Sequence, residues 1–151
     1  MKNTEILEQS IAEGAVPKSF ARCFLEQCGR KAECLHYQYY QLCSDKPVVA
    51  EAVCPEAVSG GECRCYVPVR VVREAWGFST LFRDVRAADA PKLRRAMKTL
   101  VGSNSQYYRY KLGQLKLTPA QQAEIRRLFA DYGYDGVEFE HYSDGIAFGN
   151  G

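Results

Sequence analysis

The segment Cys23-Phe-Leu-Glu-Gln-Cys28-Gly-Arg-Lys-Ala-Glu-Cys34 decides the fold of the first half of this chain. It holds three of the seven cysteines, and the other four follow at positions 43, 54, 63 and 65. An odd number of thiols cannot all pair as disulfides. With 151 residues, 46% of them apolar, the chain has enough material for one core or two small ones.

The N-terminus indicates the compartment in which these thiols occur. Residues 1–5 run directly into a polar segment without the apolar stretch of a signal peptide, and no later run reaches membrane-spanning length. We therefore expect a cytoplasmic protein with no membrane partner. In a reducing compartment, clustered cysteines more often bind metal than form disulfides.

The cysteine spacing favours a structural metal site. A zinc ion takes four ligands at about 2.3 Å from each sulfur, and short spacers let one loop present several of them. Cys23, Cys28 and Cys34 are expected to form such a knuckle, and the fourth thiolate is expected from Cys63 or Cys65. An iron–sulfur cluster also takes four thiolates with irregular spacing, and unligated thiols are a third alternative.

The remaining cysteines and the two histidines give no sign of catalysis. Cys43 and Cys54 are the expected bystanders, because a free cysteine is often a small buried hydrophobe. Only His36 and His141 are available as a base, and no nucleophile motif surrounds any cysteine. His36 is either a substitute zinc ligand or a residue of a helix surface. Paired carboxylates in a known motif, a phosphate-binding glycine loop and a Ser/His/Asp pattern are absent from the sequence, so no enzymatic activity is predicted.

Hydrophobic periodicity and capping residues predict an α+β fold, in which a Cys-rich region of loops and helix with a small antiparallel sheet precedes a three-helix part. The predicted helices run from the Asn3/Thr4 cap to about Ile11 and over residues 32–42, 91–101, 105–112 and 119–132. Strands are predicted over 66–72, where Pro68 implies a sheet edge, and over 137–142. The stretch with Pro55 and Gly60-Gly61 is predicted as loop, and residues 143–151 as a frayed tail.

Charge is segregated along the chain although the formal total is only +2. Residues 1–82 carry 9 basic and 10 acidic side chains, residues 83–127 carry 11 and 3, and residues 128–151 carry 0 and 5. The composition predicts a division into a Cys-rich metal-binding region, 1–82, and a basic helical region with an acidic tail, 83–151. The basic block is where an anionic partner would bind, unless it is a solvated helix face neutralised by the tail.

Residues 92–129 resemble the helix-turn-helix of the lambda-repressor-like family. The matching features are the Ala96/Met97/Leu100 face, the Val101-Gly102 turn, a polar segment from Ser103 to Gln106, Gly113, and the Leu117-Thr118-Pro119 start before Ile125 and Leu128. In that family the start of the second helix meets base edges and flanking cations hold phosphates. The resemblance implies base contacts from Ser103, Ser105, Gln106 and Arg109, and phosphate contacts from Arg94, Arg95, Lys98, Lys111 and Lys116.

This chain departs from the helix-turn-helix pattern in two ways, and the first is that the interval from Gly102 to Gly113 is one residue short. The second is that three tyrosines, Tyr107, Tyr108 and Tyr110, stand where the family has aliphatic core residues. The alternative is an αα-hairpin that packs Met97, Leu100, Tyr107 and Tyr110 into a core without touching DNA.

As a whole the chain resembles an uncharacterised family of small bacterial proteins. The features that carry the resemblance are the Cys-rich opening, the Ala75-Trp76-Gly77-Phe78 middle and the Leu117-Thr-Pro-Ala-Gln-Gln122 helix start. It implies that Cys23, Cys28, Cys34 and Cys63 are the family-like cysteines. Three functions stay open: a zinc-stabilised protein that binds double-stranded DNA, a zinc-scaffolded module that binds another protein, and an iron–sulfur redox or sensor protein.

Overall fold

The computed structural model describes residues 2–149 and has the predicted α+β architecture, with two small two-stranded sheets. The helices are α1 (Lys2–Ala12), α2 (Leu35–Leu42), α3 (Ala90–Val101), α4 (Asn104–Lys111) and α5 (Pro119–Asp131), with a 3₁₀ turn at Pro55–Ala57. The strands are β1 (Val58–Ser59), β2 (Glu62–Cys63), β3 (Val71–Trp76) and β4 (His141–Ile146). None of the helices within residues 2–149 combines the length and apolarity that a bilayer crossing requires.

The chain divides into two compact units. The cysteine unit comprises the described residues up to Val71 together with those from Gly145 onward, and the helical unit comprises Val72–Asp144. The chain therefore passes between the units twice, within β3 and within β4, whereas composition placed a boundary after residue 82.

The cysteine unit has a small core built from α1, α2 and the chain end. Its buried side chains are Leu7, Phe20, Leu35, Tyr39 and Ile146. The predicted helix over 32–42 begins only at Leu35, because Cys34 has an extended backbone (φ −89°, ψ 127°) and is bridged to Pro68. The N–H of Leu35 donates to the carbonyl of Val67 at 2.7 Å, so this residue starts the helix while tied to another segment.

A β-hairpin occupies the stretch that the sequence indicated as loop. β1 pairs antiparallel with β2, with Val58 opposite Cys63. Gly60 and Gly61 both have positive φ, 60° and 82°. A two-residue type I′ hairpin turn requires positive φ at both positions, and glycine adopts it without steric cost. The loop prediction was wrong because each strand has only two residues, too few for an alternating pattern.

The predicted strands over 66–72 and 137–142 are displaced toward the C-terminus. β3 and β4 are hydrogen-bonded neighbours, with the Ala147 N–H donating to Arg70 before β3 and the Glu140 N–H donating to Gly77 after it. The frayed-tail prediction was wrong for the described residues, since Ile146 in β4 is buried. Val67 and Val69 pack on the core of the cysteine unit, but they lie in an extended segment before β3. Their alternation therefore predicted the strand at the wrong position.

The helical unit has one continuous core to which α3, α4 and α5 all contribute. Its buried side chains are Ala75, Phe78, Leu81, Leu93, Met97, Tyr107, Leu117, Ile125, Phe129 and Phe139. Its three helices match the predicted ones closely, because their ends carry strong signals. Thr118 and Gln121 form a reciprocal capping box at the start of α5.

One buried polar side chain connects α5 to its surroundings. The Gln122 amide is only 5% exposed, and it donates to the carbonyls of Arg73 and Leu117 at 2.9 Å each. Because a buried amide without partners is costly, these bonds fix α5 against the strand segment that carries Arg73.

Candidate metal centre

The five cysteines predicted as candidate ligands line one small cavity in the cysteine unit. The cavity measures about 20 Å³, room for roughly one water-sized sphere, and its other wall residues include His36, Tyr37, Val53 and Tyr66. The cysteines that line it are Cys23, Cys28, Cys34, Cys63 and Cys65. Cys43 and Cys54 are not part of this wall; the Cys43 thiol donates to the Asp45 carbonyl and Cys54 is exposed. We call this site the cysteine cavity.

Different backbone features position the thiols around the cavity. Cys23 follows Arg22, which is bridged to Ala52, and its N–H donates to the carbonyl of His36 at 3.2 Å. Cys28 sits in consecutive tight turns, where its N–H donates to Leu25 and its carbonyl accepts from Lys31.

Two further thiols are positioned by β-type pairing of the backbone. Cys34 lies in the bridge to Pro68, immediately before α2. Cys63 lies on β2, opposite Val58, where the hairpin turn directs the chain back. The pattern of hydrogen bonds, and not sequence proximity alone, therefore gathers the thiols.

Three other thiols of the cysteine cavity affect the protonation of Cys23. Burial raises the pKa of the Cys23 thiol above its ordinary value, and the thiols of Cys34, Cys28 and Cys63 raise it further. A hydrogen bond from the Leu25 backbone N–H opposes this rise. That N–H would stabilise a thiolate at Cys23, as hydrogen bonds from outside a metal site do for ligands.

Polar side chains fix the segment around Cys28 and Cys34. The Tyr37 hydroxyl donates to the Glu26 carboxylate at 2.8 Å, and Lys31 lies 3.4 Å from the same carboxylate. The Tyr37 hydrogen bond lowers the pKa of Glu26, with Lys31 adding to the effect. The Arg30 guanidinium lies 3.6 Å from the centre of the Tyr66 ring. The side chains of Tyr37 and Tyr66, which line the cavity, are thus held by charged partners.

His36 lies on α2 and lines the cysteine cavity, so both of its predicted roles stay open. It is half-buried, its ring stacks on Phe20 at 4.3 Å, and its Nδ1 lies 2.6 Å from the Ala21 carbonyl. That contact favours the tautomer with the proton on Nδ1, which leaves Nε2 with the lone pair. His141 belongs to the helical unit, where it stacks on Trp76 at 5.1 Å and lies 3.2 Å from Glu140.

The thiols do not form a finished coordination sphere as they stand. Over the described range 2–149, no group of three or more His, Cys, Asp or Glu side chains has the placement that would hold a metal ion. Ligation at the cysteine cavity therefore requires side-chain rotations that turn the sulfurs toward one point. The identity of these residues as ligands stays a prediction.

The residues predicted to contact nucleic acid lie on α3, on α4, in the turn between them and, for Lys116, between α4 and α5. Six of them are exposed and three, Lys98, Gln106 and Lys116, are half-buried. The exposed ones are Arg94, Arg95, Ser103, Ser105, Arg109 and Lys111. Ser103 accepts a hydrogen bond from the Gln106 N–H at 3.1 Å and so caps α4. The side-chain oxygen of Gln106 is buried without a partner.

A comparison with models of known protein families identifies the family of this chain. Residues 5–148 match DUF6078, a family of unknown function. The chain belongs to DUF6078. Comparisons with curated proteins and with solved structures gave no match. For this DUF6078 member the site must therefore be interpreted from its own geometry.

Two features of this DUF6078 chain were missed by sequence reasoning. The first is the hairpin that carries Cys63, for which Gly60-Gly61 was the available signal. The second is the difference between neighbouring tyrosines of α4, since Tyr107 is 2% exposed and Tyr108 is 42% exposed. The buried Met97 and Tyr107 match the core that the αα-hairpin alternative required.

Proposed function

We propose that this DUF6078 protein is a zinc protein in which Cys23, Cys28, Cys34 and Cys63 bind one ion. The observation that carries the proposal is that these four thiols line the same cavity, and the influence of the last three on the pKa of Cys23 agrees with it. Cys65 lines the cavity too, but it is exposed, whereas Cys63 is half-buried. It is therefore the outer, fifth thiol.

The size and chemistry of the cavity favour zinc among thiolate-bound metals. A volume of about 20 Å³ suits a single ion better than an iron–sulfur cluster, which adds further irons and sulfides. Four thiolates at tetrahedral positions are a common structural zinc sphere. The Leu25 N–H directed at Cys23 supplies the hydrogen bond that such a thiolate needs.

The chemical role of the ion is structural. The ion would cross-link residues 23–34, which supply three ligands, to the hairpin strand that carries Cys63. The binding free energy of the ion would then become folding free energy of the cysteine unit. Because each thiol must lose its proton on binding, and because the pKa of Cys23 is raised, zinc affinity is expected to fall as the pH is lowered.

Metal analysis of the freshly purified protein tests this proposal. We expect about one zinc per chain. Replacement by cobalt should give the absorbance bands of a tetrahedral thiolate site, and the band intensity should report four sulfurs. Stoichiometric iron and acid-labile sulfide would instead establish the iron–sulfur alternative. Protein that contains no metal and takes up neither zinc nor cobalt under reducing conditions would contradict the proposal.

A second candidate function is nucleic-acid binding by the helical unit. The specific observation is that residues 90–123, which we call the basic stretch, contain seven Lys and Arg and no Asp or Glu. These cations are Lys92, Arg94, Arg95, Lys98, Arg109, Lys111 and Lys116. Charge of one sign concentrated on adjacent helices is typical of a surface that binds phosphates.

Salt dependence of DNA binding tests this second function. Log K for duplex DNA should fall linearly with log salt, and Arg95→Ala should reduce the slope by about 1. Arg64→Ala, which removes an exposed cation from the cysteine unit, serves as the matched control. Failure to bind any nucleic acid at low salt would rule this function out, and a protein partner that survives nuclease treatment would favour the protein-interaction alternative.

A further inference from the structure

Tyr108 is an aromatic side chain left in solvent within the basic stretch. Residues 105, 108, 109 and 112 have the spacing of one helix face, and all four are exposed. Tyr108 is 42% exposed and Leu112 67%, whereas the adjacent Tyr107 is buried in the core. The outer face of α4 therefore presents an aromatic ring among cations.

The ring of Tyr108 is held in place by its neighbours. The Tyr107 ring is perpendicular to it, with centroids 5.2 Å apart, so the buried tyrosine supports the exposed one from the side. Two ammonium groups flank it: Lys98 Nζ lies 5.6 Å and Lys111 Nζ lies 5.7 Å from its centroid. Lys98 comes from α3 and Lys111 from α4, so the two cations approach the ring from different helices.

We propose that Tyr108, Lys98 and Lys111 form a stacking site for an unpaired base of single-stranded nucleic acid. This inference rests on the second candidate function and names the form of nucleic acid bound. The base stacks on the phenol ring, and the two ammonium groups leave the ring to bind the flanking phosphates. Surfaces that bind single strands combine such aromatic platforms with cations along the backbone.

Two of the four residues expected to read base edges in a duplex are already engaged or buried. Of the residues expected to do so, Ser103 uses its hydroxyl to cap α4, and the side-chain oxygen of Gln106 is buried. A tyrosine ring offers a flat face, and in a duplex the faces of the bases are already covered by stacking. The exposed ring therefore favours an unpaired base.

Binding measurements with a fluorescent oligothymidylate and with a duplex of the same length test this inference. The single strand should bind more tightly than the duplex at equal salt. Tyr108→Ala should weaken single-strand binding about 10- to 100-fold, because a stacked base is lost, and Tyr108→Phe should stay within about twofold because the ring remains. Tyr132→Ala, at an exposed tyrosine after α5, is the matched control and should change nothing.

The outcomes separate this inference from the function on which it rests. Single-strand binding that is unaffected by Tyr108→Ala, with the variant folded by circular dichroism, would overturn the stacking site and leave nucleic-acid binding in place. Preference for the duplex would do the same. Absence of binding to either probe at low salt would overturn both.

Discussion

The two units of this protein reach a folded state by different means. The helical unit has ten buried side chains in one cluster and three helices of 12, 8 and 13 residues. The cysteine unit has two smaller clusters, of five and four buried residues, and its second cluster includes the thiols of Cys23 and Cys34. Its chain between residues 13 and 70 contains a single α-helix.

The proposed zinc site would fit this difference between the units. Long segments without regular structure lose much conformational entropy on folding and have few apolar contacts to offset it. In the cysteine unit, a bound metal would cross-link such segments and add its binding free energy to folding. The helical unit has its capped helices around one core.

Removal of a proposed zinc ligand should have the largest effect on metal content and folding. This effect should be confined to the cysteine unit. Cys34→Ala is expected to reduce the zinc content from about one ion per chain to near zero and to unfold the cysteine unit locally. Cys43→Ala is the control, since its thiol lies outside the cysteine cavity. Metal content and circular dichroism measure the effect; a zinc-replete Cys34→Ala protein would remove Cys34 from the ligand set.

A cavity created in the core of the helical unit should lower the stability of the protein without changing its zinc content. Phe129 is fully buried, and its ring contacts Phe82 with centroids 5.4 Å apart. Phe129→Ala is expected to lower the free energy of unfolding by about 3–5 kcal/mol while zinc content stays unchanged. Urea denaturation together with metal analysis provides both values. Loss of zinc in this variant would mean that the two units do not differ as described.

Two glycines of the helical unit distinguish the cost of a positive φ from the cost of a steric clash. Gly113 (φ +81°) would place an added Cβ 2.7 Å from the Trp76 ring, whereas Gly133 (φ +90°) has open space around it. Gly133→Ala should cost about 1 kcal/mol from the backbone conformation alone. Gly113→Ala should cost about 1–3 kcal/mol more, since the packed ring must shift.

The fluorescence of Trp76 reports on the contact at Gly113. Trp76 is the only tryptophan in the chain, so its fluorescence reports the site directly. Gly113→Ala should change the emission and Gly133→Ala should leave it as it is. Equal free energies of unfolding for the two variants would show that Trp76 accommodates the methyl group.

The smallest expected effect concerns a helix end. The Thr118 hydroxyl accepts from the Gln121 N–H at 3.3 Å, and the Gln121 side chain accepts from the Thr118 N–H at 2.9 Å. Thr118→Ala removes one of the two bonds and should lower the free energy of unfolding by about 1 kcal/mol. Thr118→Ser keeps the hydroxyl and should stay close to the original protein; equal losses in both variants would show that the methyl group, not the cap, matters.

The two units also differed in how far the sequence predicted them. In the helical unit, Asp89-Ala90-Pro91 and Thr118-Pro119 marked helix starts within about one residue. The Thr118 side chain caps α5, whereas Asp89 makes no side-chain cap hydrogen bond, so Pro91 in the first turn is the local signal at α3. β3 and β4 were displaced because their pairing is set by tertiary contacts; β4 contains Ser143, Asp144 and Gly145, which are poor strand formers.

The candidate site was predicted as a set of residues but not as a geometry. Spacing and redox chemistry singled out the cysteines that line the cavity, and the short hairpin behind Cys63 has too few residues to produce a periodic signal. Burial of Tyr107 and exposure of Tyr108 depend on how α4 is rotated against α3, which neighbouring identical residues cannot reveal.

Hydrogen exchange of the zinc-loaded protein, measured before and after removal of the metal by a chelator under reducing conditions, tests the central claim most directly. We predict that amide protection is lost mainly in the segments around Cys23, Cys28, Cys34 and Cys63, while α3 and α5 keep their protection. Unchanged protection of those cysteine segments after complete metal removal would contradict a metal-stabilised cysteine unit.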